Sequence, residues 1–251
     1  MKKTIITTSW DDGNKLDLKV LDLLDKYGLR GTFYIPKSHQ SKTLSDPEIN
    51  VVCRRQEVGA HTLNHVNLSA VDLTTAREEI RGSKDYLEDL TGKDIEMFCY
   101  PFGHFNNEVR QEVKAAGFLG ARTTKEFDIR YPDDFFSFNT SLHIYPFPFR
   151  KRDESHYHLS KFLFQPLQKK YSGIRALGLP LRSWLSWDNL SRSVFDHALE
   201  INGLYHIWGH SWEIERYGLW DKLESHFKYI SRRDDCLYLT NGEALKFNPQ
   251  L

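Results

Sequence analysis

Apolar residues follow two rhythms in the first half of the chain: short continuous runs, and longer segments with a 3.6-residue repeat. This alternation is the pattern of βα units feeding a parallel sheet or barrel. Thr4 to Trp10 predicts a strand. Leu16 to Tyr27 predicts a helix, with Leu16, Val20, Leu23, Leu24 and Tyr27 at helical spacing and Gly28 ending it. A strand over Gly31 to Ile35, a helix over Pro47 to Arg55 and a strand over Glu57 to Ala60 follow. A long amphipathic helix over Leu73 to Leu90 ends at Gly92. Met97 to Tyr100 is expected to be extended, Asn106 to Ala116 helical and Leu119 to Thr123 extended.

From Tyr131 to about Trp187 the rhythm breaks. Prolines and aromatics cluster at Tyr145 to Phe149, and a basic, His-rich patch follows. A strand over Ser141 to Tyr145 and a helix near His158 to Tyr171 are expected within this stretch, which reads as an insertion over 131–187. Regular order resumes with a helix over Leu190 to Ile201, a strand over Leu204 to Trp208, a helix over Leu219 to Ser231 and a strand over Leu237 to Thr240. With 251 residues and 40% apolar content, the expectation is one α/β domain over 1–251.

Charge narrows the function classes. The 34 basic and 34 acidic side chains cancel, so no global field draws the protein to nucleic acid or to an anionic membrane. A small or neutral substrate is expected. Cys53, Cys99 and Cys236 are odd in number and widely spaced, which fits neither a disulfide framework nor a CxxC clamp, and they read as reduced thiols. No stretch approaches the roughly 20 apolar residues of a membrane span. The chain enters Asp11 and Asp12 too soon to leave room for a signal-peptide apolar region. Cytoplasmic is the expectation, with a processed exported form as the alternative.

The candidate chemistry lies where predicted strands end, which is where βα loops share one face in a parallel barrel. Asp11 and Asp12 end the first strand, and Gly13 permits a tight turn behind them. Alone, this reads as a solvated Asp-Gly turn. His61 and His65, four residues apart in His61-Thr62-Leu63-Asn64-His65, would face the same way on a helical turn and could reach one ion. Alone, they read equally well as two unrelated polar histidines. Two histidines and a carboxylate leave coordination positions open, as catalytic zinc requires. Such an ion lowers the pKa of bound water from 15.7 to about 7, and the second carboxylate of the pair, on the opposite side of the strand, can take the proton.

Phe98-Cys99-Tyr100-Pro101-Phe102-Gly103 ends another strand in an aromatic turn, and a plain packing turn is its simplest reading. In Leu204-Tyr205-His206-Ile207-Trp208-Gly209-His210, alternation would put His206, Trp208 and His210 on one face. A structural role is favoured for His206, whereas His210 at the strand end could donate a proton to a leaving group.

Together these four elements resemble the polysaccharide deacetylases, carbohydrate esterase family four, also called the NodB-homology domain. Thr8-Ser9-Trp10-Asp11-Asp12-Gly13 is similar to the family's T-F-D-D-G, and His61 to His65 matches its H-[ST]-x-x-H. The likeness runs from about Thr4 to Thr123 and resumes at Leu204 to His210. It implies a distorted (β/α)7 barrel and a metal-dependent hydrolase that removes acetyl groups from an N- or O-acetylated carbohydrate. By position it makes Asp11 the base, His210 the acid, and Asp12, His61 and His65 the ligands of one divalent ion, zinc foremost. Tyr100, Pro101, Phe102 and Trp208 would line the substrate groove, with the Phe102 N–H helping to stabilise the oxyanion.

One departure stands out. The family often has an Arg at the place of Cys99, bonded to the base, and a later Asp that steadies it. Neither is present, which leaves Arg122 as a candidate to orient Asp11. Competing readings are a non-catalytic glycan-binding module on the same fold, a non-haem iron oxygenase with a two-His-one-carboxylate triad, and a hydrolase of small amides or cyclic imides.

Overall fold

The structure, a computed structural model, describes residues 3–39, 42–150 and 159–247, with side chains set aside for 159–163. Strand β1 (Thr4–Asp11) is rich in β-branched residues and buried along its whole length, as a central parallel strand covered on both faces must be. It pairs in parallel with β2 (Gly31–Ile35) on one side and with β7 (Leu204–Gly209) on the other. The path continues outward from β2 through β3 (Glu57–Ala60) and β4 (Met97–Cys99) to β5 (Gly120–Arg122), and from β7 to β6 (Leu142–His143). The short β8 (Cys236–Tyr238) adds to the start of β1. The seven-strand path curls into a distorted (β/α)7 barrel. Between its ends, Phe138 N donates to Ala121 O on β5 at 2.9 Å and Ser141 N donates to His206 O on β7 at 2.8 Å.

The expected helices form for the reasons their sequences suggest. Helix α1 (Asp17–Tyr27) buries Val20, Leu21 and Leu24 and ends at Gly28, whose φ of 66° is the left-handed cap. Helix α2 (Asp46–Arg55) starts in a Ser45/Glu48 capping box. Helix α3 (Leu73–Thr91) is capped by the Asp72 side chain, which accepts from Thr75 N, and it buries Ala76, Ile80 and Leu87. Helix α4 (Asn107–Ala115) follows β4. Helix α5 (Leu159–Ala176) lies in the irregular region, and α6 (Trp187–Glu200) starts three residues before the expected Leu190, because the Ser186 side chain accepts from Asn189 N.

Some expectations need correction. The strand expected over 141–145 is reduced to Leu142–His143. The helix expected from His158 to Tyr171 runs on to Ala176, while His158 itself lies outside the described residues. Helix α7 (Ser211–Tyr217) was not expected, because two turns are too short to show a periodicity. Helix α8 (Trp220–Ile230) fits the expected segment, and the short α9 (Asn241–Lys246) was likewise not anticipated.

Candidate active site

All the strands run in parallel, so their C-terminal ends meet at one rim. A cavity of about 780 Å³ opens there, lined among others by Asp11, Asp12, His61, His65, Trp208 and His210. Asp11 is the last residue of β1. Asp12 has already left the strand, with a φ of 77°, so a left-handed turn, rather than strand alternation, separates the two carboxylates. Gly13 follows with φ 58°, and a Cβ there would meet Ile35 Cγ2 at 2.8 Å. Any other residue would both strain the backbone and clash with β2.

The two histidines do converge, but not on a helix. Residues 61–67 form a loop, with Thr62 and His65 at φ 66° and 52°. The expected helical register is therefore corrected: the loop's left-handed kinks, not an i, i+4 turn, bring the rings together with centroids 4.7 Å apart. His61 Nε2 lies 3.8 Å and His65 Nε2 3.3 Å from the same oxygen, Asp12 Oδ1. The other His61 nitrogen, Nδ1, is 2.8 Å from Cys99 O, which fixes the ring so that Nε2 faces Asp12. Burial holds His61 below the usual histidine range. It also lowers His65 to about 4, helped by His61 and opposed by Asp12, so both rings are neutral with lone pairs to offer. Among the described residues His65 Nδ1 is buried with no hydrogen-bond partner. Three converging donors in a largely buried cradle fit a divalent cation.

Asp11 is held differently. Arg122, fully buried on β5, donates to both Asp11 oxygens, and its guanidinium also lies 4.7 Å over the Trp208 ring. Burial alone would raise the Asp11 carboxyl, but Arg122 first, then His61 and His210, bring it down to about 2. The Cys99 thiol, 3.8 Å from Asp11 Oδ2, is pushed up by burial and stays protonated. Arg122 thus occupies the position of a counter-ion that Cys99 cannot provide. The three cysteines are all buried and none is bonded to another.

His210 caps β7 from the opposite side, with Nε2 3.9 Å from Asp12 Oδ2. Its Nδ1 is 2.6 Å from Glu213 Oε2, one turn along α7, and the same oxygen lies 3.1 Å from His143 Nε2. Burial would lower the His210 pKa, but Glu213 raises it to about 9, so the imidazole is protonated at neutral pH. His143, which shares the carboxylate, is held below the usual range by burial. His206 is a core residue: it is fully buried, its Nε2 is 2.8 Å from Ser9 Oγ, and burial lowers it to about 3.

The expected groove residues divide. Phe102, 55% exposed and at φ 60°, lines the cavity, as does Trp208. Tyr100 and Pro101 do not. Tyr100, just past the end of β4, is buried, stacks on Phe105 at 4.2 Å and donates its hydroxyl to Phe136 O at 3.3 Å, so it belongs to the core. The cavity also holds residues that lie outside the sequence motifs. His39, on the loop after β2, stacks on His65 at 4.0 Å and puts Nε2 3.8 Å from Asp12 Oδ2. Trp212 Nε1 donates to Asp12 Oδ2 at 2.9 Å. The rule that βα loops share a face would have flagged His39, but nothing local distinguishes it from an ordinary loop histidine.

Residues 1–121 match the polysaccharide deacetylase family model. A peptidoglycan deacetylase from Helicobacter pylori is 30% identical over 100 residues, which is 40% of this chain and 34% of that protein. The matched segments span only 18% to 38% of the lengths of the curated relatives. A Mycobacterium smegmatis protein described as a polysaccharide deacetylase superposes over 98% of this chain and 90% of its own, with TM-score 0.68 and 15% identity. A family 4 acetyl xylan esterase from Clostridium thermocellum, solved with a cobalt ion, covers 97% of this chain and 91% of its own, with TM-score 0.56 and 15% identity. Over residues 1–121, just under half of the chain and carrying both the paired aspartates and the paired histidines, the chain is similar to the polysaccharide deacetylase family, and its barrel is the fold of these solved structures.

Proposed function

We propose that this protein is a metal-dependent hydrolase that removes acetyl groups from an N- or O-acetylated carbohydrate. The observation that carries this reading is the division of labour between neighbouring aspartates: Asp12 faces two neutral imidazoles, whereas Asp11 is bound to buried Arg122 and stays ionised. Asp12, His61 and His65 would hold a divalent ion, zinc foremost; such an ion polarises a carbonyl and lowers the pKa of water. Asp11, open to the same cavity, accepts the proton of the attacking water. His210, charged through Glu213, donates a proton to the departing amine or alkoxide from the other side. Trp212 lines the cavity and offers an apolar face on which a pyranose ring can rest. The acetyl xylan esterase of the same fold was itself solved with a cobalt ion.

Elemental analysis of protein purified without added metal tests the first step. About one equivalent of a transition metal is expected, with little in Asp12→Asn. No metal, together with no gain on reconstitution, would count against the mechanism. The acid has its own test. Amines leave poorly without a proton, whereas activated phenolates leave readily. His210→Ala should therefore depress amide hydrolysis far more than aryl acetate hydrolysis at unchanged metal content. Equal losses on both substrates would reassign His210 to positioning.

A further inference from the structure

The chain's overall neutrality hides a strong local imbalance. Residues 145–187 carry eight Lys and Arg against two Asp and Glu, a net +6, while the rest of the chain carries 26 against 32, a net −6. The same segment exposes large apolar side chains. Leu181 is 85% and Leu185 70% exposed, and Phe149, Phe164 and Tyr171 are each about half exposed.

These side chains form one surface. Phe149 packs edge-on against Phe164, with centroids 5.7 Å apart. Phe164 and Tyr171 are seven residues apart on α5 and so share a face. Tyr171 in turn meets Trp184 at 5.5 Å, in the 3-10 turn (Leu181–Trp184) that carries Leu181 and leads into Leu185. Lys169, Arg175 and Arg182 are exposed on the same two elements, and among the described residues no carboxylate lies on either of them.

We infer that this face docks onto an anionic lipid bilayer surface. Aromatic and leucine side chains interleaved with cations, on a helix too polar to span, are what an interfacial segment needs: the apolar groups enter the headgroup boundary and the cations meet lipid phosphates. The net −6 of the remaining chain favours one orientation, with the rest of the barrel turned away. Pro166, Lys170 and Gly173 of the same helix line the catalytic cavity, so docking sets that cavity beside the headgroups. The inference stands independently of the proposed activity.

Co-sedimentation of the full chain with phosphatidylcholine vesicles, with and without 30% phosphatidylglycerol (about a third anionic lipid), tests it. Binding several-fold stronger to the anionic vesicles is expected, weakening as salt rises. Leu181→Asp/Leu185→Asp and Arg175→Glu/Arg182→Glu should each reduce binding at least about fivefold while leaving the thermal unfolding midpoint unchanged. Equal binding to both vesicle types, undiminished binding by the variants, or no binding would overturn the inference. So would a dimer in solution that the leucine variant dissociates, since a second copy would then cover the face.

Discussion

Asp11→Asn is expected to retain its metal and lose turnover by on the order of 10²-fold or more, the usual cost of deleting a general base. The substitution is nearly isosteric, and the asparagine carbonyl still accepts from Arg122, so the buried guanidinium keeps a partner and the cavity keeps its shape. What disappears is the capacity to take a proton. Measuring kcat alongside metal content separates this from damage to the proposed ion cradle of Asp12, His61 and His65, to which Asp11 does not contribute. Unchanged turnover at full metal content would sink the assignment.

Arg122→Met should produce the largest loss of stability. Arg122 and Asp11 are both buried, and removing one partner of such a pair strands the other charge, at a cost of about 3–5 kcal/mol. Methionine has similar length, so cavity formation adds little. The stranded carboxyl has a second consequence. Burial is the largest influence on Asp11, and without Arg122 it drives the carboxyl towards the neutral form and removes the base at neutral pH. Denaturant unfolding of Arg122→Met, Asp11→Asn and the double variant forms a thermodynamic cycle. The double variant should be markedly more stable than the sum of the single losses predicts. Strict additivity would mean that the two groups are not coupled, and the account of how Asp11 stays ionised would fail.

The sequence alone was informative wherever structure follows from local pattern. Continuous apolar runs marked the strands because a parallel strand is buried on both faces, and α1 and α3 were legible from a single apolar stripe and a glycine stop. Asp11, Asp12, His61, His65 and His210 were legible because each lies at or just beyond a strand end within a short motif. The gaps also have physical causes. Backbone kinks at Asp12, Thr62 and His65 determine how the carboxylates separate and how the imidazoles converge, and left-handed turns at these residue types leave no periodic trace.

The contacts that determine ionisation were harder to read for a different reason: only the missing tether at Cys99 pointed to Arg122, and nothing pointed to Glu213 or His143. Arg122 reaches Asp11 across 111 positions, and His143 reaches Glu213 across 70. Such pairs meet only because every strand runs the same way and delivers its last residue to one rim, so residues far apart in the chain become neighbours. Composition could count 34 charges of each sign but not say which would be buried together. The chain's own residues thus specified the strands, helices and candidate site residues, whereas closure of the barrel decided which carboxylate faces the two imidazoles and which is paired with an arginine.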